Sequence, residues 1–343
     1  MDKNVESQIT DRIGILSDKI NELERLEYDL LRGDLFNGGL FEYMNGIKIK
    51  NKFYMYSLIK NQDESFDEVH SRVIKNLFQF EYTPLKTVRD VLKILQRSLH
   101  DVCVKNNLSY WPELNTLKGI VTFSDIYPDA DSITLGMPYE DIERLKELLD
   151  DNEDFRVRIQ YSVNNNGYIR LYKFTMKDID FPFIDLFSYH YADLSVMKSV
   201  NKSWADVNNL RGTFAEEARM TENTFANSPV LNDAREFVVN NYINKQKEII
   251  NYDGNRNVLF WGIENFRYGR DNIINTERIF PLQEIDLWDQ KVFMPTQMDW
   301  YINVRRAKLD DMPSEVQIPA KIRKLQPSEE RKLIEFIEKY KKE

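Results

Sequence analysis

Hydrophobic and polar positions along the chain switch several times between helical and strand periodicity. Near the start, Ile9, Ile13, Leu16, Ile20 and Leu23 recur at spacings of four and three. This predicts an amphipathic helix with a short coiled-coil-like seam, packed on its own domain or against a second chain. In "LFEYMNGIKIKNKFYMY" the pair Asn45-Gly46 lies between alternating residues, the signature of a hairpin with a type I′ turn. From Thr83 to Asn106 a helix is predicted, with Val88, Val91, Leu92, Leu95, Leu99, Val102 and Cys103 as its buried stripe. Cys103 is expected to pack rather than react, and His100, off that stripe, is expected to be solvated.

The segment "LSYWPELNTLKGIVTFSDIYPDADSITLGMP" reads as a turn, a helix or tight turn, a loop and a strand. "YEDIERLKELLDD" is a helix with Pro138 near its first turn and with Ile142, Leu145, Leu148 and Leu149 facing inward. "FRVRIQYSV" and "YIRLYKFTM" form two strands around the loop Asn164 to Gly167. "FPFIDLFSYHY" is a mostly apolar strand interrupted by Asp185. Helix dominates beyond Asp193 to about Asn251, followed by mixed structure. A last helix, "EERKLIEFIEKYKK", has Ser328 as its expected cap and Glu329 and Glu330 in its first turn.

Composition narrows the function classes. The 343 residues are 42% hydrophobic and 30% charged, which provides for a sizeable core and argues against wholesale disorder. With 47 Lys and Arg against 56 Asp and Glu the formal charge is −9, and no long basic run suits a nucleic-acid backbone. A single cysteine rules out an internal disulfide and fits a reducing compartment. The sequence has no signal-peptide pattern and no apolar window of about twenty residues, so a cytoplasmic protein with at most peripheral contact at the inner membrane face is expected.

Several ordered blocks then carry a resemblance. Cys103 ends a helix and Tyr110-Trp111 follow it. "LNTLKGIVTF" keeps Thr116, Leu117, Gly119 and Val121 of a glycine motif, and "PDADSITLGMP" keeps Pro128, Asp131, Gly136, Met137 and Pro138 of an acidic one. Asp141, the "IDLF" around Asp185, and Phe280, Pro281 and Pro295 also match. Together these blocks resemble the LicD family, related to fukutin and the fukutin-related protein, over roughly residues 84 to 319. The resemblance implies an α+β fold: a nucleotidyltransferase-like mixed sheet flanked by helices. To it would be added an N-terminal extension (1–83, the helix and hairpin) and a C-terminal amphipathic helix (320–343). The family reaction it implies is transfer of phosphocholine, or a related phospho-alcohol, from a CDP-linked donor to a glycan hydroxyl, as in decoration of cell-surface polysaccharide or teichoic acid.

That chemistry needs carboxylates. Two acids one residue apart on a strand, with a third on a neighbouring strand, hold Mg²⁺ or Mn²⁺ that bridges the donor phosphates. Here the two strand positions are Ser132 and Thr134, and Asp185 takes the third. The paired glycines of the family are Leu114 and Asn115, and its Arg-His pair is Thr122 and Phe123. Two readings follow. In a rewired transferase, Asp185 with Asp131 or Asp129 would hold the metal, with His190 as a weaker rescue ligand. In a degenerate homologue, catalysis is weakened or lost, and the chain binds donor, glycan, a lipid-linked glycan precursor or an active paralogue. The first helix would then serve as the docking seam, for a paralogue or for a homo-oligomer. Asn115, Thr116, Gly119, Arg170, Lys173, Arg305 and Arg306 are the candidates for donor-phosphate contact, and Trp111 is expected to pack under the motif loop.

Overall fold

A computed structural model describes residues 83–127, 130–164, 167–193, 204–249, 255–261, 273–304 and 319–341. The expected N-terminal seam and the Asn45-Gly46 hairpin lie outside the described residues, as do Asp129, Arg305 and Arg306. The chain divides into two compact units. One comprises residues 1–91, 127–131 and 310–343, the other 92–126 and 132–309.

In the first unit, helix α1 (Thr83–Asn106) begins, with Leu85, Val88 and Val91 buried. The unit also holds α8 (Ala320–Arg323) and α9 (Pro327–Tyr340). Helix α9 starts two residues earlier than the Ser328 signal suggests. Gln326 is its N-cap and forms a capping box with Glu329, while Pro327 occupies the first turn, where a missing N–H costs nothing. Leu333 and Ile337, one turn apart, are its buried positions.

The second unit is an α+β body on a mixed sheet. Its strands are β1 (Trp111–Pro112), β2 (Ser132–Pro138), β3 (Phe155–Asn164), β4 (Gly167–Met176), β5 (Phe183–Ala192), β6 (Val258–Trp261) and β7 (Ile273–Asn275). The main path runs β1-β2-β5-β4-β3, with β6 on β5 and β7 on β6. Strand β2 joins β5 in parallel, and the other pairings are antiparallel. The parallel pair requires a crossover, which α3 (Tyr139–Leu149) begins and the β3–β4 hairpin completes. Helix α3 buries Ile142, Leu145 and Leu149; Leu148 is exposed, because the apolar stripe is narrower than the run of leucines suggests.

The remaining elements close the two faces. Helices α4 (Trp204–Phe225) and α5 (Leu231–Ile249) enclose Phe214, Val239 and Tyr242 and pack against Tyr168 of β4. Gly167 turns the β3–β4 hairpin at φ 110, and a Cβ there would sit 2.0 Å from the Phe214 ring. Helix α6 (Thr276–Ile279), the hairpin β8 (Gln283–Leu287) with β9 (Gln290–Met294), and α7 (Met298–Val304) build a second cluster around Trp111, Tyr189, Leu259 and Tyr301. Helix α2 (Leu114–Phe123) contributes Leu117 and Ile120 to it. Among the described residues, no helix is long and apolar enough to cross a membrane.

Candidate functional site

The parallel ladder of β2 and β5 sets the site. It pairs Ser132 with Phe183 and Thr134 with Asp185. Paired residues share a face and successive residues alternate, so Ser132, Thr134 and Asp185 lie on one face. Ile133, Leu135, Ile184 and Leu186, all buried, lie on the other. On its opposite edge, β5 pairs Asp185 with Lys173 of β4, and β4 in turn pairs Lys173 with Arg158 of β3. One row thus crosses four strands: hydroxyl, carboxylate, ammonium, guanidinium.

Lys173 is the part of this row that changes its chemistry. Its Nζ is 4.0 Å from Asp185 Oδ1, with side chains 11% and 25% exposed. The same ammonium stands 3.6 Å from the centre of the Phe183 ring. The carboxylate and the ring face hold the cation between them. At the end of the row, Arg158 is paired with Asp180.

The segment before β2 is tied to this row by backbone. Thr134 N–H donates to Thr116 Oγ1 at 2.8 Å, and Thr134 O accepts from Glu113 N–H at 2.9 Å. The Thr116 hydroxyl therefore positions β2. Leu114, where the family carries glycine, opens α2 at φ 46. This left-handed backbone is costly for a side chain with a Cβ, by about 1–2 kcal/mol. Asn115 is exposed and Gly119 buried.

Glu113 is a residue the sequence reading missed. It is fully buried, and its Oε1 accepts from Tyr189 Oη at 2.5 Å, from Trp111 Nε1 at 3.1 Å and from Tyr301 Oη. Trp111 Nε1 also donates to Tyr301 Oη at 2.8 Å. Trp111 is thus a packing residue; its ring lies where a Cβ on Gly136 would be, 2.6 Å away, which explains why glycine stands there.

Other residues singled out in the sequence fall elsewhere. Arg170 lies three positions before Lys173 and so on the opposite face of β4, donating from Nη1 to Asn240 Oδ1 at 3.0 Å. His190 is likewise on the opposite face of β5 from Asp185, stacked on Tyr139 with ring centres 4.7 Å apart. Asp141 accepts from Ser109 N–H at 2.9 Å, and burial raises its carboxyl above the usual range. Cys103 is buried and burial pushes its thiol up, so it is unreactive.

His100 departs from expectation. It is buried, with Nδ1 2.9 Å from Tyr110 Oη and its ring 4.9 Å from that of Phe293. Strand β9, far along the chain, covers the flank of α1 that periodicity assigns to solvent. Burial lowers the His100 pKa.

The donor set does not fit a divalent metal. Among the described residues, no group of three or more His, Cys, Asp or Glu could hold one. Two of the three expected oxygens are uncharged hydroxyls, and the third belongs to a carboxylate already beside an ammonium. Repulsion between unit charges at 4 Å is roughly 4 kcal/mol at an effective dielectric near 20, and it doubles for a dication.

Residues 107–219 match the model described as LicD/FKTN/FKRP, nucleotidyltransferase domain. That range contains β1 to β5 and hence the whole row. An uncharacterized protein of Rickettsia prowazekii (strain Madrid E) is 33% identical over 67 residues, 20% of this chain and 25% of that protein. Another, from Rickettsia typhi (strain ATCC VR-144 / Wilmington), is 31% identical over 68 residues, 20% of this chain and 22% of that protein. The chain spans about a quarter of the length of the curated relatives it matches.

Proposed function

Because this chain carries a LicD/FKTN/FKRP nucleotidyltransferase domain over residues 107–219, we propose that it serves the decoration of cell-surface glycans as a binding protein in which phospho-alcohol transfer is weakened or lost. Its ligands are a CDP-linked phospho-alcohol donor and a glycan or lipid-linked glycan precursor, and it works beside an active transferase. The observation that carries this reading is the row itself. Thr134 stands opposite Asp185 where the resemblance places a carboxylate, and Lys173 flanks Asp185 on the other side.

The loss of charge explains why transfer would fail. Phosphoryl-type transfer depends on positive charge that offsets the phosphates and on precise placement of the attacking hydroxyl. Two missing carboxylates remove the ligands for a bridging cation. Leu114 and Asn115 in place of the glycine pair narrow the approach of phosphate to backbone N–H groups.

The test is an assay of CMP release from CDP-choline and CDP-polyols with glycan acceptor and Mg²⁺ or Mn²⁺, paired with calorimetric binding of the same donors. The expected result is donor binding without CMP release above the protein-free rate. Robust metal-dependent release, abolished by Asp131→Asn or Asp129→Asn, would establish a rewired transferase instead.

A further inference from the structure

The row on β2, β5 and β4 carries no net negative charge: Lys173 offsets the one carboxylate that stands there. Two acidic positions are now hydroxyls, which can donate hydrogen bonds to an anion that carboxylates would repel. A buried ammonium has three N–H donors and sits 4.0 Å from the one remaining acid. With Lys173 offsetting Asp185, these residues carry no net charge, so the face no longer favours a cation, while its hydroxyls and ammonium are hydrogen-bond donors suited to an anion.

We propose that Lys173, with the hydroxyls of Ser132 and Thr134, forms a metal-independent site for a phosphate or diphosphate group. Lys173 supplies, as a fixed charge, what a divalent ion would otherwise bring. Several features support this. The ladder puts Thr134 and Lys173 on either side of Asp185 and on the same face. The Phe183 ring, 3.6 Å from Nζ, holds the ammonium in place beneath the ligand. Thr116 fixes the Thr134 backbone, so the hydroxyl of Thr134 is carried on an immobilised strand edge. Asp185 keeps a new role: it anchors Lys173 instead of ligating metal.

This inference deepens the proposed function and rests on its reading of β2 and β5 as the donor-binding face. The probe that separates them is inorganic pyrophosphate, which contains neither cytidine nor alcohol. Calorimetry of the full chain with pyrophosphate should give binding in EDTA at least as tight as in Mg²⁺. Lys173→Met should weaken it about tenfold or more, the worth of one charge-assisted hydrogen bond, while Lys173→Arg keeps it. Should Lys173→Met fail to fold, Thr134→Asp carries the same test, with a comparable loss from like-charge repulsion. Pyrophosphate binding that requires Mg²⁺, or that is unchanged in folded Lys173→Met or in Thr134→Asp, would overturn the inference. If pyrophosphate binds in EDTA but no CDP-linked donor does, the anion site stands and the glycan-decoration reading falls. If the donors bind only with Mg²⁺, the reverse holds.

Discussion

Asp185 and Tyr189 stand four residues apart on the same strand, an even spacing that puts both on one face, and their surroundings do opposite work. Around Tyr189 the polar groups are sealed. Glu113 accepts from Tyr189, Trp111 and Tyr301 in a region from which water is excluded. Around Asp185 the polar groups are partly open, and the members of the row are hydroxyl, carboxylate and ammonium. The first region is a fastening that holds α2, β5 and α7 together. The second is partly open, with Asp185 itself a quarter exposed, although Phe183 and Lys173 beside it are buried. On the proposed reading, this difference lets the fastening keep the fold while the chemistry of the open face changes.

The comparison breaks most visibly at Glu113. Glu113→Ala leaves the hydroxyls of Tyr189 and Tyr301 without their carboxylate acceptor, each loss worth about 1–3 kcal/mol, while Trp111 keeps Tyr301 Oη as its acceptor. The expected loss is about 3 kcal/mol or more in urea unfolding; a loss under 1 kcal/mol would show that the knot is not a fastening. Next in size is Gly136→Ala, whose Cβ would meet the Trp111 ring at 2.6 Å. Overpacking of this kind costs about 1–3 kcal/mol, and a melting temperature equal to that of the unmodified chain would contradict the packing described. Asp185→Asn sharpens the contrast from the other side. It leaves the largely buried Lys173 ammonium without its carboxylate, so it should cost about 1–2 kcal/mol in urea unfolding, less than Glu113→Ala; a cost equal to that of Glu113→Ala would contradict the contrast.

Smaller still is a pH effect. The folded chain holds His100 with a lowered pKa, burial being the main cause and Asp101 and Glu284 opposing it. The unfolded chain therefore binds the extra proton more readily, and stability falls as pH drops below about 6.5. His100→Gln should flatten that limb of the stability profile; an unaltered slope would remove His100 as its source.

Much of this architecture is legible in the sequence, for physical reasons that stop at identifiable points. The stripe of α1 and the Asn164–Gly167 hairpin are local signals, and the structure reproduces them except at Val102, which is half-buried. The adjacency of the strands that carry Thr134 and Asp185 is non-local; it is legible only through the family resemblance, since no periodicity states which strands adjoin. The alternation rule alone separates Arg170 from Lys173, three positions apart, although basic character had grouped them. Glu113 gives no signal in sequence, because its three partners lie at 111, 189 and 301. His100 was misplaced for the same reason, its cover coming from β9.

The most direct test of the central claim is calorimetric titration of the full chain with Mn²⁺ and with Mg²⁺ in the absence of nucleotide. The account predicts no saturable heat from the unmodified protein. It predicts that a metal site emerges when Ser132→Asp and Thr134→Asp are combined with Lys173→Met. Stoichiometric binding by the unmodified chain that Asp185→Asn abolishes would contradict it, returning Asp185 to the role of a metal ligand.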